Sequence, residues 1–187
     1  MRLSKQEVES LMVAQSELNE AFTVSRWDDP LVTTAFLVEY GEMLNEIKPE
    51  WKVWKESEMS LLAAEVEFID CIHFGLSILL LRAHEDEQGF QLGGDMCMDR
   101  PILKRTGDFL TDMNKSVTSF VSWSSSYPMS VGNFVDFIDI VTEHFTMDKE
   151  RFMRFFEVKA KINRERVAQG YAQGNYTGKD DEIKQFV

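Results

Sequence analysis

The chain has 187 residues, with 20 Lys+Arg against 32 Asp+Glu and a formal charge of −12. Hydrophobic residues make up 44% and charged residues 28%, with four prolines and ten glycines, which excludes collagen-like and low-complexity chains and fits a globular protein with one sizeable core. The acidic balance argues against stable nucleic-acid binding, because a phosphate backbone repels net negative charge; a local basic patch can still hold a small phosphorylated ligand.

Two cysteines, Cys71 and Cys97, are too few for a disulfide scaffold, and no Cys/His spacing suggests zinc. Met1 is followed by Arg2, Lys5 and several acids rather than an apolar run, so no signal peptide is expected. The longest uncharged apolar stretch, Cys71 to Leu81, falls short of the roughly 20 residues a membrane span needs. A cytoplasmic protein without a membrane partner is the expectation.

The pattern is helical almost throughout. Ser4-Lys5-Gln6-Glu7 reads as a capping box, and Leu11, Ala14, Leu18 and Phe22 form an apolar stripe behind it. Arg26-Trp27-Asp28-Asp29-Pro30 breaks that helix, and Pro30 suits the first turn of the next, which runs toward Ile47. Lys48-Pro49-Glu50 marks a stop, and a long helix is predicted from near Ser57 to about His84. Glu85 to Gly94 reads as a loop. Further helices are predicted over about Pro101 to Trp123, Val131 to Phe145 and Asp148 to Gln169, with Gly170 placed to end the last. The tail from about 172 is polar, glycine-bearing and expected to be mobile. The fold class is therefore all-α, a bundle of about five to six helices in one domain over 1–187.

Two carboxylate pairs carry candidate chemistry. Glu39 and Glu42, and Glu67 and Asp70, are each spaced i, i+3, so each pair projects from one helix face. On two facing helices, four such acids make a hard-oxygen cluster suited to Mg²⁺ or Mn²⁺. A solvated acidic face is the plainer reading for Glu39/Glu42. It fits Glu67/Asp70 less well, because Val66, Phe68, Ile69, Cys71 and Ile72 around them look buried, and a buried acid needs a partner or a metal. A ferritin-like di-iron site would want two Glu-x-x-His motifs, and only Asp70-x-x-His73 comes near.

Lys149 to Arg166 holds seven basic residues and three Glu, a local charge of +4 against −16 elsewhere. Lys159, Asn163 and Arg166 share one face at i, i+4, i+7, a face able to hold phosphate oxygens or simply to be solvated. Phe74, four residues after Asp70, shares its face and suits either a base-stacking or an ordinary core role; Trp51 and Trp54 lie near in sequence. His73 reads as a hydrogen-bonded, partly buried histidine rather than a ligand. Serine and cysteine nucleophile readings lack a supporting pattern.

The ordered set Glu39-x-x-Glu42-Met-Leu, Trp51-Lys52-Val53-Trp54-Lys55, Glu67-Phe-Ile-Asp70-Cys-Ile-His73-Phe74 and Asn163-x-x-Arg166-x-x-x-Gly170-Tyr171 resembles the all-α NTP pyrophosphatases. Within them it is similar to the dimeric dUTPases and the phage dCTP/dUTP pyrophosphatases, with MazG-type enzymes as more distant relatives. The resemblance spans about Gln15 to Tyr176, with gaps. It implies a homodimeric bundle in which Glu39, Glu42, Glu67 and Asp70 hold Mg²⁺, and hydrolysis of a deoxypyrimidine triphosphate, dUTP first, to monophosphate and pyrophosphate. It implies phosphate-binding roles for Lys159, Asn163 and Arg166, and substrate contacts from Lys52, Trp54, Phe74 and Tyr171. Gln15 resembles a glutamine that reads the base. For a phage-encoded chain the compartment would be the host cytoplasm. Two departures stand out: Ala172 replaces a lysine that many relatives carry after Gly-Tyr, and about 85–131 does not align, leaving it as an insertion serving as lid, dimer contact or substrate-specific element. The rival readings are a dCTP or mixed dCTP/dUTP enzyme, a MazG-type house-cleaning enzyme, and an inactive helical interaction protein.

Overall fold

The computed structural model describes residues 1–22, 27–85, 101, 103–122, 127–170 and 186. Within them lie seven helices and no strand: α1 (Lys5–Ala21), α2 (Asp29–Glu46), α3 (Lys48–Trp51), α4 (Leu61–Glu85), α5 (Phe109–Val121), α6 (Tyr127–His144) and α7 (Lys149–Ala168). The all-α expectation is borne out; the expected five to six helices are seven among the described residues, the single turn of α3 being one of them.

Local chemistry explains most boundaries. Ser4 and Glu7 form the reciprocal capping box at the start of α1. Asp28 and Asp148 accept from the backbone N–H of Leu31 and Arg151 at the starts of α2 and α7. Gly170 follows α7 at φ +79°, a left-handed conformation that glycine adopts without steric cost. Four expectations need correction. α6 begins at Tyr127, four residues before the expected Val131. Lys48-Pro49-Glu50 does not end helical structure; Pro49 sits inside the single turn of α3, where its missing N–H costs nothing. α4 begins at Leu61 rather than near Ser57. α5 begins at Phe109, not Pro101, because the side chain of Asp112 accepts from the backbone N–H groups of Thr106 and Gly107 and holds that stretch in a turn, while Asp108 caps the helix. The 86–94 loop and the tail expected to be mobile from about 172 lie outside the described residues, apart from Phe186.

The buried apolar residues form one continuous cluster drawn from all the helices except α3. Phenylalanines make its spine: Phe36 of α2 packs edge-on against Phe120 of α5 and Phe137 of α6, and Phe68 of α4 contacts both Phe137 and Phe152 of α7. α4 and α6 approach so closely at Gly75 that a Cβ there would lie 2.2 Å from the Phe134 ring. Only glycine allows that crossing.

Buried polar ties fix the relative placement of the helices. Arg82 of α4 donates to Asp29 of α2 at 2.8 Å, to the Phe120 carbonyl of α5 at 2.6 Å and to Ser130 of α6 at 3.0 Å. α7 is fixed by Arg151, which pairs with the buried Glu65, and by Lys149, whose Nζ lies 2.8 Å from Glu7.

The Glu7 carboxylate is held down at about 2 by Lys149 and by hydrogen bonds from Ser4. A carboxylate whose folded pKa is depressed stabilises the fold above its unfolded value and loses that contribution as pH falls toward the folded value. Glu7→Gln therefore lowers stability at pH 7 by about 1 kcal/mol, the size of a cap plus a half-exposed ion pair. Urea unfolding at intervals from pH 7 to pH 3 should show the gap between wild type and variant closing below pH 4.5; a constant gap would remove the ionised carboxylate from the explanation.

Candidate active site

α2 and α4 run side by side, and their facing stripes bring three acids together. Carboxylate oxygens of Glu39, Glu67 and Asp70 all lie within 4.8 Å of one another, each residue half-buried. Burial, followed by the charges of Asp70, Glu42 and Glu67, pushes the Glu39 carboxyl up to about 8, with Lys159 opposing. Glu42 itself is exposed and stands outside this triad. The donor set is all oxygen, and the repulsion that raises Glu39 is what a hard dication relieves. The residues present therefore fit a divalent cation.

Lys159 of α7 reaches the same cluster. Its side chain is buried, and its Nζ lies 2.6 Å from Asp70 Oδ2. It serves the acids as an internal countercharge in this arrangement.

Beside the acids opens a cavity of about 320 Å³. Gln15, Glu39, Asp70, Phe74, Asn163 and Arg166, all expected from the sequence, line it together. Arg166 Nη1 lies 3.4 Å from Asn163 Oδ1, so the two α7 side chains present one polar edge. The cavity also takes Leu18, Asn19, Phe22, Trp27, His73 and Ser77, which the sequence reading had not assigned to substrate. Phe22 and Trp27 stack with a 12° interplanar angle and supply an aromatic wall to the cavity. His73 is fully buried, stacked on Phe156 at 4.5 Å, and pushed down to about 3 by burial and then by the Lys159 charge, so it is neutral.

Lys52 and Trp54 do not reach the cavity. They follow α3 on the surface, with Trp54 71% exposed, and line a separate hollow. Tyr171 lies outside the described residues.

α4 carries the site's polarity. Glu67, Asp70, Phe74 and Ser77 fall on one face at steps of three, four and three residues, spanning roughly 15 Å at the helical rise of 1.5 Å per residue. Along that stripe the chemistry changes from acid to aromatic to hydroxyl. The dUTPase family profile matches residues 7–171, and the chain belongs to that family. Membership makes it a nucleotide pyrophosphatase of the dUTP/dCTP type, a class that generally uses a divalent metal. Among curated proteins and among solved structures, nothing matches the chain. No helix among the described residues is long and apolar enough to cross a membrane.

If the triad is a cation site, Mg²⁺ at a hundredfold excess over its Kd stabilises the fold by about 2.7 kcal/mol, a shift of several degrees in Tm. Glu67→Gln keeps the side-chain shape and removes one ligand charge. The variant should melt no lower than wild type without metal and should lose most of the Mg²⁺-induced shift in calorimetry. A full shift in Glu67→Gln would remove that residue from the ligand set.

Proposed function

We propose that the protein hydrolyses dUTP to dUMP and pyrophosphate with the help of a divalent cation, most readily Mg²⁺ with Mn²⁺ as substitute, and works as a homodimer. The observation that carries this reading is the cluster of Glu39 from α2 with Glu67 and Asp70 from α4, beside a cavity that Glu39 and Asp70 line together with aromatic and amide side chains. Glu39, Glu67 and Asp70 would hold the cation, with Glu42 one turn away on α2 available to join them. A bound dication lowers the pKa of a coordinated water and neutralises phosphate charge. Arg166 and Asn163 bind the phosphate chain through charge-assisted and amide hydrogen bonds. Phe74 and the Phe22–Trp27 wall sandwich the base and keep water from the deoxyribose end. In the reaction a water oxygen bonds to the α-phosphorus, the α–β bridging oxygen leaves with pyrophosphate, and the water's proton passes to solvent or a carboxylate.

A dCTP or mixed dCTP/dUTP preference is the second reading, since a side-chain amide can meet either pyrimidine edge. Support for the dimer comes from the family resemblance and from α2, where Leu31 and Val38, two turns apart on one face, are 40% and 52% exposed. The inactive interaction-protein reading is disfavoured by the preserved triad and Arg166.

The decisive assay is pyrophosphate release across a panel of nucleoside triphosphates. Turnover of dUTP should require Mg²⁺ or Mn²⁺ and stop in excess chelator. Undiminished turnover in chelator defeats the metal reading, and no turnover of any triphosphate restores the interaction protein. Arg166→Ala should lower kcat/KM for dUTP about 10²- to 10³-fold, as removal of one donor in a water-excluded site does, while leaving the melting temperature nearly unchanged. A solvated arginine would cost almost nothing.

A further inference from the structure

Of the three α7 side chains that the family resemblance ties to phosphate, Lys159 alone stays out of the cavity. Asn163 and Arg166, one and two turns further along α7, line that space and Lys159 does not. Lys159 is 3% exposed, and its Nζ lies 2.6 Å from Asp70 Oδ2. Its charge reaches past this contact. Burial and the neighbouring acids raise the Glu39 carboxyl, and Lys159 opposes them. Burial is the main reason that the His73 imidazole is depressed, and the Lys159 charge is the next. The ammonium therefore sits against the acid cluster from the α7 side and is felt across it.

Carboxylates of Glu39, Glu67 and Asp70 with oxygens within 4.8 Å of one another repel, and a cation beside them relieves that repulsion, be it a free ion or a tethered ammonium. The two kinds of cation are not independent. Each neutralises part of the same negative charge, so each reduces what the other gains. They also repel one another, and between buried or half-buried groups that repulsion is poorly screened. Whatever Lys159 contributes to the fold in the absence of a divalent ion, it removes from the binding of that ion.

The structure assigns Lys159 to the cation site as a tethered antagonist: its ammonium holds the acid cluster together without metal and, through Asp70, sets a ceiling on the affinity for a divalent cation. Lys159 is in this sense a positioning residue for the acids and not a phosphate ligand. The inference rests on the cation reading of the triad and adds to it the group that tunes cation affinity. Even at the dielectric of water, a unit charge about 5 Å from a dication is worth roughly a tenfold factor in affinity.

The test uses the full chain, Mg²⁺ as the probe, and two variants that remove the charge, Lys159→Met with an unbranched apolar stem and Lys159→Gln with a polar end. Calorimetric titration reads the Kd for Mg²⁺, and thermal melts with and without the ion read stability. Both variants should melt several degrees below wild type without metal, gain a larger shift on adding Mg²⁺, and bind it about tenfold more tightly or better. A lysine that merely holds Asp70 in place gives the same loss of metal-free stability with a Kd that is unchanged or weaker, and that result overturns the inference. Should neither variant fold without the ion, circular dichroism across a Mg²⁺ titration replaces the melts: recovery of helicity supports the antagonist role, and persistent unfolding at Mg²⁺ concentrations that saturate wild type counts against it. If wild type binds neither Mg²⁺ nor Mn²⁺, the cation reading of the triad falls and the inference with it. If wild type binds and both folded variants bind no more tightly, the cation reading stands and the inference alone is lost.

Discussion

Three carboxylates share a space less than 5 Å across between two packed helices, and the rest of the molecule is arranged around that repulsion. Glu39 faces Glu67 and Asp70 because α2 and α4 must meet along stripes that also carry Phe36, Met43, Phe68 and Ile72, all fully buried. Apolar burial of about 25 cal/mol per Å² along these helices opposes the electrostatic cost. The cost shows in the Glu39 carboxyl, raised to about 8. A core built only for stability would place leucine there. Retaining acids at such a position makes sense where a cation is part of the working state, although a structural ion pair alone would also tolerate one of them.

The helix that supplies the countercharge is itself tied down elsewhere. α7 brings Lys159 to Asp70 because Phe152 and Phe156 bury its apolar face and Arg151 pairs with Glu65, two residues before Glu67 on α4. Asn163 and Arg166 then follow at one and two turns beyond Lys159. Three helices thus contribute one stripe each at steps of three and four residues: Gln15 and Asn19 from α1, Glu67 to Ser77 from α4, Lys159 to Arg166 from α7. Because the rise per residue is constant, the order of side chains along each stripe becomes an order in space, with anionic chemistry near the crossing of α2, α4 and α7 and base-sized apolar space toward Phe22 and Trp27.

Much of this was legible in the sequence, and the part that was not has physical causes. Apolar periodicity and caps gave the helices, because burial of a stripe and satisfaction of terminal N–H groups are local demands. The acids stood out at Glu67 and Asp70 because charges are rare among neighbours such as Val66, Phe68 and Ile69. Asn19 and Ser77 carried no signal: a small polar residue on a helix looks the same whether it meets solvent or a buried amide from another helix. Trp54, expected at the substrate only through the family resemblance, is carried to the surface after α3, whereas Trp27, in a stretch that reads only as a breaker, lines the cavity. The start of α5 was missed because a proline at 101 mimics a first-turn residue, while the turn that delays the helix depends on Asp112 folding back on Thr106 and Gly107.

The two cations of the α7 stripe divide their work by depth. Lys159, in contact with Asp70 at 2.6 Å, offsets part of the negative charge of the acid cluster and belongs to its resting balance. Were it to swing toward a phosphate chain, Asp70 would lose a contact of 2.6 Å and the cluster would carry a larger uncompensated charge in a half-buried setting. Arg166 stands two turns further along and lines the open cavity. Its guanidinium is planar, permanently charged and shaped for paired contacts with phosphate oxygens, whereas a lysine is a point charge best used where one carboxylate oxygen must be met. The residue types match the depths at which they sit: lysine where an acid needs neutralising, arginine where an anion has to be received and released.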